Sequence, residues 1–271
     1  MDPATAGAAE LSRLLEPLRA EPAATGILCD VDGTLAPIAD KPGAATVPER
    51  ARELLRELAR RYALVGCVSG RRAEEARRMV GLDELVYAGN HGFERLDPGD
   101  SEVRPDAAVQ ARADRARAFV EGLDQGRLAG AGLRLEDKGV IQALHWRGSA
   151  DESVARRQAQ EVAKLAQQVG LVARWGRKVL ELRPVAGIDK GSASLALLRD
   201  RGVDHALFGG DDVTDLDAFR ALRRMQDSDR LRTAVRVGVA SEEAPPDLVT
   251  ESDIVVDGTE GFLVVLEELA R

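Results

Sequence analysis

Over 271 residues, 38 basic side chains stand against 46 acidic ones; a net charge of −8 without any Lys/Arg block argues against a nucleic-acid partner. A hydrophobic content of 44% beside 31% charged residues suits a globular chain of one large domain or two small ones. No apolar run approaches membrane-spanning length, so no membrane partner is expected, and the charge leaves room for an anionic small molecule at a local site.

The first residues, 1–25, are rich in Ala and Pro. A helix over Leu11–Leu18 is expected, limited by Pro17 and Pro22, with no chemistry of its own. No basic stretch followed by an apolar one opens the chain, so no secretory leader is read there. Gly26-Ile27-Leu28-Cys29 then reads as a buried strand, and Asp30-Val31-Asp32-Gly33-Thr34 follows. Ligands of open parallel sheets sit just beyond the carboxyl ends of the strands. Of two carboxylates spaced i, i+2 there, one can attack an electrophile and the other can move a proton, with a hard cation holding their charges together. On these residues alone, a solvated Asp-rich turn is the alternative.

Pro37 and Pro42 mark a loop, and a helix is expected near Pro48, with Leu54, Leu55 and Leu58 on one face. Ala63–Val68 reads as a second buried strand, ending at Ser69-Gly70-Arg71. A hydroxyl with free backbone N–H groups suits a phosphate oxygen; equally, Ser69 could simply cap the helix over Ala73–Val80. Arg71 either reaches the same anion or lies in solvent. Cys29 and Cys67, without C-x-x-C spacing, read as buried small hydrophobes, and a cytoplasmic location is expected. A third strand, Leu85–Ala88, runs into Gly89-Asn90-His91-Gly92-Phe93-Glu94, a tight polar loop.

From Pro105 the pattern becomes helix (Asp106–Leu123), two strands (Leu133–Asp137 and Val140–Trp146), helix (Asp151–Val169) and two more strands (Leu171–Trp175 and Lys178–Leu182). This is an α+β unit in its own right, without an acidic strand-end motif of the kind that follows Cys29 and Phe208. Lys138, His145, Arg147, Lys178 and Glu181 could form one polar face there, or an ordinary solvated one. The expected division is therefore a core over 1–104 and 184–271 with an inserted domain over 105–183, hinged near 103–106 and 183–187.

Asp189-Lys190-Gly191 begins the next helix, where a cation opposes the macrodipole and hints at a task such as holding a phosphate beside an attacking carboxylate. The strand His205–Phe208 ends in Gly209-Gly210-Asp211-Asp212-Val213-Thr214-Asp215. Three carboxylates in five residues repel one another unless a divalent cation sits among them. The run is too short for a Ca²⁺ loop and fits Mg²⁺ better, although capping alone could explain Asp215. Strands over Thr233–Val239 and Ile254–Val256 and a helix over Gly261–Leu269 close the chain.

D-x-D-G-T, S-G-R, D-K-G and G-D-D-x-x-D, in this order, resemble the haloacid dehalogenase-like phosphatase superfamily. The fold this implies is α/β, a Rossmann-like parallel-sheet core with an inserted α+β cap domain. The resemblance implies that Asp30 is the nucleophile, that Asp32 protonates the leaving oxygen and then deprotonates water, and that Ser69, Gly70 and Lys190 hold the phosphoryl group. Asp30, the Asp32 backbone carbonyl and Asp211 would bind Mg²⁺, with Asp212 and Asp215 supporting. G-x-H-G-x-E at Gly89–Glu94, Glu136-Asp137-Lys138 followed by His145-Trp146-Arg147, and G-x-K-x-x-E-x-R-P at Gly176–Pro184 resemble the trehalose-6-phosphate phosphatases. That likeness implies a sugar-phosphate substrate, with Lys138, Lys178 and Glu181 on the glucose hydroxyls and Asn90, His91, His145 and Arg147 as further substrate contacts. Trp146 stands where a Tyr is expected, and Leu216 where an acid is. The length suggests a phosphatase without an attached synthase. Sucrose phosphate or glucosylglycerate phosphate is the alternative substrate. Oligomeric state is left open.

Overall fold

A computed structural model describes residues 7–38, 45–103, 107–184, 187–241 and 244–271, with only the backbone for 107–112. Pro42, Pro105 and parts of both expected hinges (104–106 and 185–186) lie outside the described residues. The chain divides into two compact units, Met1–Val103 with Ile188–Arg271, and Arg104–Gly187.

In the first unit, helix α1 (Ala8–Ala20) leads into strand β1 (Thr25–Cys29). Then come α2 (Glu49–Arg61), β2 (Leu64–Val68), α3 (Ala73–Val80), β3 (Val86–Gly89) and β4 (Glu94–Leu96). The second unit holds α4 (Ala107–Glu121), α5 (Gln125–Gly130), β5 (Arg134–Asp137), β6 (Gln142–His145), α6 (Glu152–Gln168), β7 (Val172–Gly176) and β8 (Val179–Arg183). The first unit resumes with α7 (Lys190–Arg201), β9 (His205–Gly210), α8 (Asp215–Asp227), β10 (Thr233–Ala240), α9 (Asp247–Glu251), β11 (Ile254–Asp257) and α10 (Gly258–Ala270).

The larger sheet runs β11-β10-β9-β1-β2-β3-β4 and is parallel except for β4 against β3. Its central strands are buried on both faces and read as unbroken apolar runs. One face packs Ile27 and Cys29 against leucines of α1 and α2 and Phe262 of α10. The other packs Leu28 and Phe208 against Leu197 of α7 and Phe219 of α8. The strand order reverses at β1, between β9 and β2, which makes their carboxyl ends the topological switch point. Cys29 lies level with both Cys67 and Gly209, so Asp30, Ser69 and Asp211 leave the sheet within one residue of the same height. Both cysteines are buried and free.

In the second unit an antiparallel sheet, β5-β6-β8-β7, packs one face on α4 and α6 through Leu144, Leu180, Leu182, Val120 and Val162. Among the described residues, no helix is long and apolar enough to cross a membrane.

Three short elements, β4, α5 and α9, escape the sequence reading because three to six residues carry too little periodicity to register. Helix α1 extends beyond the expected Leu11–Leu18 at both ends, with Pro17 inside it. An interior proline costs about 3 kcal/mol, but Leu11, Leu15 and Leu18 are all buried and each contributes about 1.5–3 kcal/mol. The apolar stripe outweighs the lost hydrogen bond. For the core itself, Leu28→Ala is expected to lower the unfolding free energy by about 2–5 kcal/mol. Urea denaturation followed by circular dichroism checks this, and a loss below about 1 kcal/mol would contradict the packing.

Candidate active site

The site grows from the loops that follow β1, β2, β3 and β9. Asp30 is the first residue past β1; its backbone N–H donates to the Gly209 carbonyl (2.9 Å), so the strand pairing itself sets where its carboxylate begins. Lys190, the first residue of α7, is 1% exposed, and its Nζ lies 3.0 Å from Asp30 Oδ1 and 2.7 Å from Asp215 Oδ1. The N-terminus of α7 is already satisfied by an Asp189–Ser192 capping box, which leaves the Lys190 side chain to the site. Asp215 also accepts the Asp211 and Asp212 backbone N–H groups on its Oδ2, both at 3.0 Å. It is thus the hub of the β9 loop. Capping, the bland alternative, is the task of Asp212, which accepts from the Thr214 amide (2.6 Å) and hydroxyl (2.7 Å) and from the Asp215 amide (3.2 Å).

Two glycines make this convergence possible. Gly33 has φ +82°, and a Cβ there would overlap the Asp211 carboxylate. A Cβ on Gly210 would overlap the Asp215 side chain. Each glycine admits a carboxylate where any side chain would exclude it.

The electrostatics follow from burial. Desolvation pushes the Asp30 carboxyl up to about 7; Lys190 pulls it down, while Asp211, Asp212 and Asp32 push it further up. Burial likewise raises Asp215 against the pull of Lys190. Burial works to lower Lys190, but Asp215 and Asp30 outweigh it and hold the ammonium well above its ordinary value. Asp212 is opposed by burial too, yet Lys190 and the Thr214 hydroxyl and amide hold it below the usual carboxylate range. Carboxylate oxygens of the buried Asp30, Asp211 and Asp215 lie within 4.8 Å of one another. The acids of this cluster outnumber its one ammonium, an imbalance that a divalent cation would relieve. An all-oxygen donor set suits a hard cation. Asp215 already spends both oxygens on N–H donors, which makes Asp30 and Asp211 the better candidate ligands.

Around this centre the loops are tied to one another. The Ser69 hydroxyl accepts from the Arg71 amide (3.1 Å) and keeps its own proton to donate. The Ser69 carbonyl accepts from His91 N (2.9 Å) and the Arg71 carbonyl from Asn90 N (2.6 Å). Asn90 and His91 both sit at positive φ, 49° and 59°, and the Asn90 side chain donates to Glu94 (2.6 Å). Glu94 also accepts the amide of Ala73 at the start of α3 (2.9 Å), a favoured place for a carboxylate. His91 packs over Gly70. Asp32 is held by Arg71 through two hydrogen bonds of 2.6 Å each.

A model of the trehalose-phosphatase family matches residues 28–250 of this chain. The chain belongs to that family. It is 32% identical, over an alignment of 255 residues, to trehalose-phosphate phosphatase of Mycobacterium tuberculosis, covering 84% of this chain and 63% of that one. It is 40% identical over 222 residues to an uncharacterized glycosyl hydrolase of Mycobacterium tuberculosis, covering 79% of this chain and 16% of that one. The chain therefore spans under two thirds of the length of both relatives. The C-terminal domain of Candida albicans trehalose-6-phosphate phosphatase shares its fold, with a TM-score of 0.71, 23% identity and 96% of both chains covered.

In this member of the trehalose-phosphatase family, the expected polar face of the second unit is real but differs in membership. Register places Glu136, His145, Glu181 and Arg183 on the sheet face opposite the helices. Lys138 Nζ lies 3.4 Å from Glu181, which also accepts from Arg183 Nη2 (2.7 Å). His145 Nε2 lies 2.6 Å from Glu136 and holds that carboxyl below its usual range, more than offsetting burial. Lys178 does not join them. It sits in the β7–β8 turn at φ +53° and donates to Glu152 of α6 (2.6 Å), on the helix side. Arg147 is exposed beyond the end of β6.

Three residues named in the sequence have partners that it does not give: Asp215 as hub of the β9 loop rather than only a support for the metal, Arg71 on Asp32, and Arg183 in the Glu181 network. Arg71 had a signal, since an acid three residues past β1 and an Arg three residues past β2 leave adjacent parallel strands. Removing the shared cation should be costly: Lys190→Met is expected to destabilise the protein by about 3–5 kcal/mol, as for a broken buried pair. Adding Asp215→Asn should cost less than the sum of the two single losses, because the two groups share one interaction. Thermal unfolding of the cycle checks this, and strict additivity would separate them.

Proposed function

We propose that this chain hydrolyses trehalose 6-phosphate to trehalose and phosphate through a phosphorylated Asp30. The observation that carries this reading is the buried Lys190 bridging Asp30 and Asp215 at the switch point, with Ser69 at the end of the adjoining strand. Membership of the trehalose-phosphatase family and the names of the relatives supply the substrate.

In the first step an Asp30 carboxylate oxygen bonds to phosphorus while the ester P–O bond breaks, and Asp32 gives its proton to the departing sugar oxygen. In the second, water attacks phosphorus, its proton passes to Asp32, and the acyl-phosphate bond breaks to restore Asp30. The Ser69 hydroxyl, the Gly70 amide and the Lys190 ammonium hold the phosphoryl oxygens in both steps. Phosphoryl transfer asks chiefly for such positioning and for neutralisation of spread negative charge. Asp30 and Asp211 would hold Mg²⁺, with the Asp32 carbonyl as a further oxygen and Asp212 and Asp215 in support. When bound, the ion would supply charge neutralisation for the phosphoryl group.

For sugar recognition the polar sheet face of the second unit offers Lys138 and Glu181, with His145 on the same face, whereas Lys178 is engaged with Glu152 on the helix side. A reducing compartment such as the cytoplasm suits two buried free thiols.

A panel of trehalose 6-phosphate, sucrose 6-phosphate and glucosylglycerate phosphate, assayed for phosphate release with and without chelator, tests the reading. Trehalose 6-phosphate is expected to dominate, with activity lost on chelation and restored by Mg²⁺. Strong preference for another ester would move the substrate, and chelator-insensitive turnover would remove the metal. Asp30→Asn is expected to abolish turnover in a protein of unaltered circular dichroism. Glu181→Gln is expected to raise KM for the sugar phosphate about 10-fold, the scale of one charge-assisted hydrogen bond; an unchanged KM would take Glu181 out of recognition.

A further inference from the structure

The pairing of Arg71 with Asp32 has no role in the scheme above. Nε donates to Oδ2 and Nη2 to Oδ1, both at 2.6 Å, so the guanidinium fork spans the whole carboxylate. Such a fork uses one lone pair on each oxygen and leaves one on each. Asp32 therefore stays able to exchange a proton while the plane of its carboxylate is fixed. The fixing matters because the Asp32 side chain is 35% exposed and stands where the chain enters the Gly33 turn, outside the named strands. A terminal carboxylate torsion is otherwise broad and soft.

Arg71 is itself held. Its amide donates to the Ser69 hydroxyl and its carbonyl accepts from Asn90 N, so the loops after β2 and β3 anchor the fork that reaches the loop after β1. A lysine could not replace it, since an ammonium is a point charge without the planar geometry.

We propose that Arg71 is a positioning residue that holds the Asp32 carboxylate in the orientation needed to pass a proton to the leaving sugar oxygen and to take one from water. This rests on the phosphatase reading. It differs from a role in gripping substrate phosphate, in which the guanidinium would contribute to binding.

The test compares Arg71→Ala and Arg71→Lys with the parent enzyme on the sugar phosphate that the parent hydrolyses, after circular dichroism has confirmed the fold. The expected result is a fall in kcat of about 100-fold for Arg71→Ala, the loss that misplacing a proton-transfer group brings, with KM changed less than threefold. Guanidinium chloride at millimolar, non-denaturing concentration is expected to recover at least a tenth of the lost kcat in Arg71→Ala and to leave the parent unaffected. Arg71→Lys is expected to stay at least about 10-fold below the parent in kcat although it keeps the charge, because an ammonium lacks the planar fork. A loss confined to KM would overturn the proposal in favour of substrate binding. Retention of more than half the kcat, or a loss that guanidinium does not touch in a folded protein, would also overturn it. Should Arg71→Ala not fold, Arg71→Lys decides: full kcat overturns the proposal, and reduced kcat at constant KM upholds it. A parent enzyme without phosphatase activity would instead overturn the underlying reading and leave these outcomes distinct from it.

Discussion

Everything in the first unit that bears on chemistry depends on one buried ammonium. Moving a charge from water into a protein interior costs several kcal/mol even after relaxation. Lys190 meets that cost by standing between Asp30 and Asp215, which are buried with it. The two carboxylates are in turn tolerable only because the ammonium is there. Lys190 and Asp30 come from opposite sides of the second unit in sequence, so this contact closes the first unit across its interruption. A helix N-terminus is a poor place for a lysine by dipole alone, at about 0.3–1 kcal/mol. Two ion pairs in a low-dielectric site outweigh that cost many times over.

Asp215 turns the same interaction into geometry. One oxygen takes the ammonium and the other takes two consecutive backbone amides, so the loop after β9 is folded around a single side chain. Gly33 and Gly210 let the neighbouring carboxylates approach without a Cβ in the way. The loops after β2 and β3 are joined by backbone hydrogen bonds at Ser69, Arg71, Asn90 and His91. The acidic centre is thus carried by the sheet register below and by a ring of mutually bonded loops above. Such support is what a group held for reaction requires.

The second unit has a simpler logic. Alternation along its strands sends leucines to the helices and charged residues to the other face. On that face Glu181 stands between Lys138 and Arg183 and keeps its charge satisfied away from bulk water. Lys178 departs because the turn that carries it has a left-handed backbone, which directs the side chain towards Glu152 at the start of α6.

The long strands, the major helices and the acidic strand ends were readable from residue order. Burial on both faces leaves unbroken apolar runs, and polar residues at their ends stand out against them. Lys190 was readable too, as a charge in the wrong place for its helix. Arg71, Asp215 and Lys178 were not assigned their partners. Spacing along a chain reports period and face, and it does not report which oxygen a donor meets. That choice was made by the level register of β1, β2 and β9, which brought distant loops to one height. It was made as well by the cost of burying charge, which set Asp30 and Asp215 on either side of the buried Lys190.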